Sequence, residues 1–316
     1  MNGFAARIER DFSVRRKEKQ KTEFRAWLVY TLKEMGYSPK LESGEYSLSL
    51  GGTMTNVVAG DPEKAKIVLA AHYDTGVREI LPPMISPTRP VSFLLYQALF
   101  PILVLAGSFA LSLALTFPFD LPALTLPLFL ALLAAALFYP KYGPDESATL
   151  SDNTSGIVTL LEVARTLTPR YRGEVCFLFL DGGTQAAKGA KGLRRAHPCL
   201  KEKPVMVVDC VAEGDELLLL PGRAGRWNGA LLDAINDNFS NSEKKTCFLK
   251  TDGLITFPSD NRAFAHSVSI CACRKIPGFG RCILPRRAKE IDEENLAILR
   301  EGLSKLIMNY QPESRA

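Results

Sequence analysis

Three short, unbroken apolar runs, each followed by a histidine or an acid, most constrain what this chain can fold into. The runs, with the residues that follow them, are Ile67–Ala71 with His72, Val175–Leu180 with Asp181, and Val205–Val208 with Asp209. Such runs are typical of strands buried on both faces in a parallel or mixed sheet that helices cover. Helical patterns over Ile157–Leu167 and about Thr184–His197 alternate with them. The pattern predicts an α/β domain with a mixed, mostly parallel sheet and helices on both faces.

Weaker patterns complete this domain. The apolar spacing within Ala5–Gly36 predicts one amphipathic helix in the N-terminal segment, residues 1–44, packed on the main domain. The other predicted elements are a hairpin of Tyr46–Leu50 and Thr55–Ala59 around Gly51-Gly52, strands Leu217–Leu220 and Val268–Ala272, and helices Trp227–Phe239 and Ile291–Met308.

The residues that end the three central strands form a candidate metal site. Ligands of open α/β sheets bind outside the carboxyl ends of the strands, so these polar side chains are expected to converge. A fourth candidate is Asp152, within Ser151–Gly156, just before the amino end of the helix Ile157–Leu167. Free backbone N–H groups and the helix dipole favour its ionised form, as a divalent metal requires. The alternative is that Asp152 or Asn153 only caps this helix.

Two uncharged stretches interrupt the domain pattern. Phe93–Phe117 and Leu121–Tyr139 contain no charged residue, and each is long enough to cross a bilayer as a helix. Because only Pro118-Phe119-Asp120 separates them, they predict a transmembrane hairpin, residues 89–141, in contact with lipid through residues 93–139. It is inserted between residues 45–88 and 142–316 of the domain. The alternative is a buried helical pair in a soluble protein.

The charges that flank the hairpin predict its orientation. Arg89 and Lys141 lie on its open side and Asp120 at its tip, so the positive-inside rule puts the main domain of this integral membrane protein in the cytoplasm. The densely charged start, Arg7–Lys21, is not typical of a signal peptide. Seven cysteines, an odd number, fit reduced thiols better than a disulfide framework. The net charge of +5 comes without an aromatic-interleaved basic patch, so no nucleic-acid partner is expected.

A resemblance to a known family covers nearly the whole chain outside the hairpin. The motifs that carry it, in order, are Thr55-Asn56-Val57-Val58-Ala59, Lys66–Thr75, Ser151–Gly156, Val175–Asp181, Val208-Asp209 and Ser259-Asp260. They resemble the co-catalytic zinc aminopeptidases and glutaminyl cyclase relatives of peptidase family M28, clan MH. The resemblance implies the zinc exopeptidase fold, with two zinc ions about 3.5 Å apart that activate a water molecule against a peptide carbonyl.

The resemblance also assigns residues. His72 and Asp209 match ligands of one zinc, and Asp152 matches the carboxylate that bridges both ions. Asp74 matches the acid that orients the ligating imidazole. The family commonly holds the peptide bond after its bridging aspartate in the cis form, which implies a cis bond between Asp152 and Asn153.

Two other positions depart from the family pattern. The general-base glutamate corresponds to Gly183, and the glutamate that binds the second zinc corresponds to Thr184. Loss of a general base typically costs about 10² to 10⁴ in rate. Asp181, at the neighbouring strand end, is a speculative substitute base.

The family's last ligand, a histidine, corresponds to Cys282, or to Leu284 if the loop is shifted. A Cys282 thiolate could bind zinc in place of an imidazole, and the alternative is an ordinary buried cysteine. His72, Asp152 and Asp209 by themselves leave one open coordination position.

These features predict a membrane-anchored, zinc-aminopeptidase-like protein with impaired catalysis that binds one zinc ion rather than two. A peptide ligand or a membrane protein partner would then take the place of a substrate. The alternatives are an active metallo-exopeptidase or amidohydrolase with a rearranged site, and a scaffold subunit of a membrane complex.

Overall fold

A mixed sheet with a parallel centre organises the molecule. The computed structural model describes residues 2–45, 53–79, 83–253, 257–285 and 288–312. Its strands are β1 Pro39–Glu45, β2 Thr53–Ala59, β3 Ile67–His72, β4 Val175–Leu180, β5 Val205–Val208, β6 Glu216–Pro221, β7 Thr246–Leu249, β8 Ser267–Ile276 and β9 Gly280–Cys282. Within these described ranges the order is β1-β2-β4-β3-β5-β8-β6-β7, and β9 pairs with β8. The neighbours β4, β3, β5 and β8 run parallel, and β2 and β6 run antiparallel to them.

Helices cover both faces of this sheet. The helices of the described residues are α1 Gly3–Phe12, α2 Glu18–Glu34, α3 Pro90–Thr116, α4 Thr125–Tyr142, α5 Ser155–Thr166, α6 Lys188–Ala196, α7 Gly229–Asn238 and α8 Glu293–Asn309. All of them except α3 and α4 contribute to the apolar clusters on the sheet. Alternate strand residues point to opposite faces. Leu69 and Phe177 pack in one apolar cluster with α1, α2, α5, α7 and α8, whereas Val68 and Leu178 pack in another with α6. The predicted fold class is therefore confirmed, because the continuous apolar runs are buried on both sides.

The N-terminal segment differs from the prediction of one helix. It forms α1 and α2 with a break between them, where the backbone of Arg15 pairs with Thr75: Arg15 N donates to Thr75 Oγ1 over 2.9 Å, and Arg15 O accepts from Thr75 N over 3.2 Å. The break brings the Arg15 side chain into the interior, which an unbroken helix would not allow.

Other differences lie at element ends. β2 pairs antiparallel with β1, which was not predicted. The predicted partner, Tyr46–Leu50, and the Gly51-Gly52 turn lie outside the described residues. The strands β7 and β9 are short and were also missed. α6 begins only at Lys188, because a turn precedes it in which Ala186 and Ala187 are left-handed, with φ of 61° and 58°.

The two uncharged stretches form α3 and α4, which pack side by side. The Phe109 and Phe129 rings meet edge to face at 5.9 Å between centroids, and the Thr116 and Thr125 hydroxyls are 2.7 Å apart. Both helices are long and apolar enough to cross a membrane, and only 6% and 0% of their most apolar windows are buried in the protein. Neither helix is therefore buried within the described part of the chain, as the alternative of a buried helical pair would require.

The sheet core yields a stability prediction. Phe177 is fully buried, and its ring packs edge-on against Tyr37 at 5.5 Å between centroids. Phe177→Ala should lower the free energy of unfolding by about 3–5 kcal/mol, because it removes apolar burial and leaves a cavity. Denaturant unfolding in detergent checks this. The control Tyr30→Ala, at a side chain that is 64% exposed, should change stability by less than about 0.5 kcal/mol.

Candidate metal site

Three predicted ligands from three separate segments meet at the carboxyl edge of the sheet. His72 ends β3, Asp209 follows β5, and Asp152 lies in the turn before α5. His72 Nε2 is 3.0 Å from Asp152 Oδ1 and 3.6 Å from Asp209 Oδ1. The donor atoms of all three side chains lie within 4.8 Å of one another. The resemblance assigned these three residues to a metal, whereas Asp181, the other candidate at a strand end, is not in the group.

The sequence left open whether Asp152 binds a metal or whether Asp152 or Asn153 only caps α5. In the turn before α5 the two side chains point to different partners. Asn153 caps the helix: its Oδ1 accepts from Gly156 N over 3.0 Å, and its Nδ2 donates to Val208 O over 2.9 Å. Asp152 instead turns toward His72, and its side chain is 44% exposed. The peptide bond between Asp152 and Asn153 is cis, as the resemblance implied.

Asp74 lies on the other side of the His72 ring. His72 Nδ1 is 3.2 Å from Asp74 O and 3.5 Å from Asp74 Oδ1, and Asp74 is almost completely buried. Burial alone would raise the pKa of Asp74, but His72, Thr184 and the charge of Lys21 outweigh it and lower the pKa to about 2. Asp74 is therefore an ionised acid beside the His72 ring, in a position from which it can orient the imidazole.

The electrostatics of the site favour a bound cation. Burial opposes the charge of His72, but Asp152, Asp209 and Asp74 outweigh it, so its pKa lies well above 6.5. Burial likewise acts to raise the pKa of Asp209, yet His72 and Ser259 lower it. Ser259 Oγ donates to Asp209 Oδ2 over 2.6 Å, whereas the buried Asp209 Oδ1 accepts no hydrogen bond from the described residues. An orphaned carboxylate oxygen beside an imidazole and a half-exposed carboxylate fits a divalent metal.

Gly183 and Thr184, the two positions that depart from the family pattern, both donate hydrogen bonds to the Asp74 carboxylate. Gly183 N donates to Asp74 Oδ1 over 2.7 Å, and Thr184 Oγ1 donates to Asp74 Oδ2 over 2.5 Å. A Cβ atom built on Gly183 would lie 2.5 Å from both Cβ and Cγ of His72. Only glycine fits this approach without a shift, so the backbone occupies space that a glutamate would need.

Asp181, the speculative substitute base, lies in a buried ion pair. Its Oδ1 is 2.5 Å from Lys21 Nζ of α2, its Oδ2 accepts from Thr55 N over 3.2 Å, and Arg25 lies 3.9 Å away. The Asp181 side chain has no exposed surface. The structure thus gives Asp181 a structural role, with its oxygens directed to α2 and β2.

Cys282 and the two other histidines of the chain, His197 and His266, lie away from the three ligands. Cys282 is buried on β9, burial raises its pKa although Ser86 and Arg89 act to lower it, and it does not join the three ligands. His197 Nε2 lies 2.7 Å from Glu42 Oε2 at the end of α6. His266 immediately precedes β8, at the opposite edge of the sheet.

Asp260 is a buried acid near the site to which the sequence gave no role. It is 1% exposed, and both of its carboxylate oxygens lack a hydrogen-bond partner among the described residues. Burial raises its pKa to about 7; His72 opposes this, whereas the negative charges of Asp74, Asp209 and Asp152 add to it. Ser259-Asp260 is one of the motifs that carry the resemblance. A sequence does not reveal that the Asp260 carboxylate lacks hydrogen-bond partners among the described residues.

Arg15 is a second residue that the sequence did not reveal. Its fully buried guanidinium donates to Tyr73 O and Phe12 O, each over 2.6 Å, and to Thr154 Oγ1 over 3.1 Å. Burial lowers its pKa to about 10, against the attraction of Asp74 and Asp152. Arg15 therefore joins the end of β3, which carries His72, to the turn that carries Asp152.

Comparisons with known proteins agree with this geometry. The family model described as Peptidase family M28 matches residues 140–274, which include Asp152 and Asp209. A search of curated proteins finds no match.

Solved structures share the fold over nearly their full lengths. Porphyromonas gingivalis glutaminyl cyclase is 13% identical with a TM-score of 0.56, covering 96% of this chain and 95% of its own. A Zn-dependent exopeptidase from Parabacteroides distasonis is 14% identical with a TM-score of 0.56, covering 97% and 96%. A leucine aminopeptidase precursor from Bacteroides thetaiotaomicron is 12% identical with a TM-score of 0.56, covering 98% and 95%. At these identities the likeness extends to the fold.

The buried ion pair of Asp181 yields a prediction. Lys21→Met should destabilise the protein by about 3–5 kcal/mol, because it leaves a buried carboxylate without its main counter-charge. The double variant Lys21→Met/Asp181→Asn should recover much of this loss. Denaturant unfolding measures both, with Lys19→Met, an exposed lysine of the same helix, as the control. Equal stability of Lys21→Met and wild type would contradict a structural role for the pair.

A second prediction concerns pH. The raised pKa of His72 means that the metal-free protein holds a proton there, and this proton contributes stability below about pH 6.5 that is lost as the pH rises through the raised pKa. Zinc must displace the proton, so zinc affinity should increase as the pH rises toward that pKa. Calorimetric zinc titrations at several pH values measure this. His72→Ala should abolish binding and His197→Ala should not; pH-independent affinity would contradict the assignment.

Proposed function

We propose that this chain is a member of peptidase family M28, which its fold and the match of residues 140–274 support, and that it is a membrane-anchored binding protein that holds one metal ion and has lost peptidase catalysis. The observation that carries the proposal is the approach of Gly183 to His72. At the position of the family's general base there is neither a proton acceptor nor room for one in this backbone conformation.

The second metal position of the family also lacks its carboxylate ligand in this chain. Thr184 occupies the place of a carboxylate ligand, and its hydroxyl and backbone N–H both donate to Asp74. A neutral hydroxyl directed to another acid is a poor substitute for a carboxylate ligand of zinc. Cys282, the other replacement considered, lies outside the ligand group. These facts support one ion rather than two.

The retained group suits zinc. His72, Asp152 and Asp209 would hold the ion, and a bound zinc ion supplies Lewis acidity for polarising a carbonyl or carboxylate oxygen. The protein's own residues then serve binding: Asp74 fixes the imidazole of His72, Ser259 fixes Asp209, and the half-exposed Asp152 keeps one side of the group open. Such a site can recognise a peptide terminus or another oxygen ligand without cleaving it.

The helices α3 and α4 provide the proposed membrane anchor. At 1.5 Å per residue they are about 40 Å and 27 Å long, close to or above the thickness of a bilayer core of about 30 Å. Leu95, Leu126 and Leu137 illustrate their exposure, at 68%, 64% and 74%. So much exposed leucine is costly in water and favourable in lipid. The positive charges at the open side of the hairpin support a main domain in the cytoplasm.

A second candidate function rests on Asp260. Asp260 is a buried carboxyl group without a hydrogen-bond partner in the described part of the chain, and its pKa is raised to about 7. Such a group near the candidate metal site can replace a lost general base. The chain would then be an active metallo-exopeptidase or amidohydrolase with a rearranged site, in line with the neighbours that are named as a Zn-dependent exopeptidase and a leucine aminopeptidase precursor. A scaffold role within a membrane complex is compatible with the first proposal.

The proposal predicts about one equivalent of zinc per chain and no turnover. Metal content is measured by plasma mass spectrometry on detergent-purified wild type and His72→Ala. The same samples are assayed for release of leucine from leucyl-p-nitroanilide and for cyclisation of an amino-terminal glutamine peptide. We expect wild type and His72→Ala to be equally inactive. Gly183→Glu should not gain activity, because its Cβ would meet His72.

Turnover that requires His72 would contradict the loss of catalysis. If that turnover also fell by about 10² to 10⁴ in Asp260→Asn, the second candidate function would replace the first. Asp237→Asn, a substitution in the helix α7, is the matched control and should have no effect.

A further inference from the structure

The hairpin leaves the domain at the same edge of the sheet that carries the metal ligands. The segment after Asp74 is hydrogen-bonded to the segment after α4: Glu146 N donates to Gly76 O over 3.1 Å, and Arg78 N donates to Pro144 O over 2.9 Å. Tyr139 of α4 donates through its hydroxyl to Arg78 O over 2.8 Å. The carboxyl end of α4 is thus fixed against the residues that follow β3.

These contacts limit the distance between the site and the helix end. An extended chain advances about 3.3–3.6 Å per residue, so Asp74 and Arg78 are at most about 14 Å apart. Tyr139 contacts Arg78 directly. The ligand group therefore lies within about two helix diameters of the point where α4 ends.

The β8–β9 hairpin reaches toward the other helix. Val208, the last residue of β5, pairs with Ile270, and β8 continues to Ile276, about 20 Å further along the strand direction. Its loop contacts the start of α3: Ser86 Oγ donates to Phe279 O over 2.8 Å, and Arg89 donates to Gly278 O over 2.8 Å. Phe279 remains 38% exposed at this tip.

The side chains at this level suit a phospholipid surface. Arg78, Arg89 and Lys141 are exposed cations, and Tyr142 is 71% exposed beside Lys141, whose ammonium lies 5.2 Å from the ring centroid. Tyrosines and basic residues at helix ends are typical of the headgroup layer, and juxtamembrane cations attract anionic lipids.

We infer that the carboxyl edge of the sheet faces the bilayer and that the β8–β9 loop, residues 277–279, rests on phospholipid headgroups together with Arg78, Arg89 and Lys141. The metal ligands then lie in the space between the sheet edge and the membrane, and a ligand reaches them from the headgroup layer. This inference rests on the proposed membrane anchor, but not on the proposed metal.

A tryptophan at the opposite edge of the sheet provides an internal reference for the distance from lipid. β6 runs antiparallel to β8, so its last residue, Pro221, pairs with Val268 at the start of β8. Trp227 follows in the next turn, in which Gly225 lies close to Ser267 O, and the Trp227 side chain is 87% exposed. The length of the sheet therefore separates Trp227 from the edge that carries the site, and Trp227 should lie far from lipid.

Tryptophan quenching by a headgroup-labelled lipid tests the orientation. The full chain is reconstituted into phosphatidylcholine–phosphatidylglycerol vesicles that contain TEMPO-phosphatidylcholine. One sample, Trp27→Phe, reports on Trp227 alone. A second, Trp27→Phe/Trp227→Phe/Phe279→Trp, reports on the β8–β9 loop, and a third carries Thr88→Trp in place of Phe279→Trp in case the loop variant misfolds. Unlabelled vesicles correct for intrinsic differences in emission.

Quenching at positions 279 and 88 several-fold greater than at Trp227 is the expected result. Equal or greater quenching at Trp227 in protein that floats with the vesicles would overturn the orientation while leaving the membrane anchor intact. Failure of the chain to float with the vesicles would overturn the anchor itself, and the orientation with it.

Discussion

The structure depends on the cations and hydrogen-bond donors that compensate the negative charge of aspartates buried at one edge of the sheet. Carboxylates cannot be buried as ions unless opposite charges or hydrogen-bond donors meet them. Asp181 is met by Lys21, and Asp74 is met by His72 and by the turn that contains Thr184. Among the described residues, Asp209 has a hydrogen-bond donor for only one of its carboxylate oxygens. The residual negative charge beside His72 is what would allow this edge to hold a cation.

The N-terminal segment supplies much of that compensation. Arg15, Lys21 and Arg25 are all nearly or fully buried, and they direct their charges to the ends of β3 and β4. In the zinc peptidases that the sequence resembles, a second metal ion would supply positive charge beside the acids of this edge. In this chain Arg15, Lys21 and Arg25 supply part of that positive charge, which agrees with the proposed site for one ion.

The sequence predicted the central strands and the ligand group because both depend on local patterns. An apolar run ending in His72 or Asp209 determines where its strand ends, and parallel strands end at one edge. The burial of Lys21 could not be predicted, because a lysine within a charged helix is normally solvated. Arg15 was hidden for the same reason. Cys282 lies on β9, a strand that was not foreseen, and its burial there agrees with the alternative of an ordinary buried cysteine. The approach of Gly183 to His72 depends on the turn before α6, whose left-handed alanines no propensity rule anticipates.

X-ray absorption at the zinc edge tests the central claim most directly, because it counts the neighbours of the ion by element. A single ion bound by His72, Asp152 and Asp209 predicts nitrogen and oxygen neighbours at about 2.0–2.2 Å, with no sulfur at about 2.3 Å. It also predicts no second metal at about 3.5–4 Å. A sulfur neighbour would place Cys282 on the ion, and a metal–metal distance would restore the two-ion site; either result would contradict a single-ion binding protein.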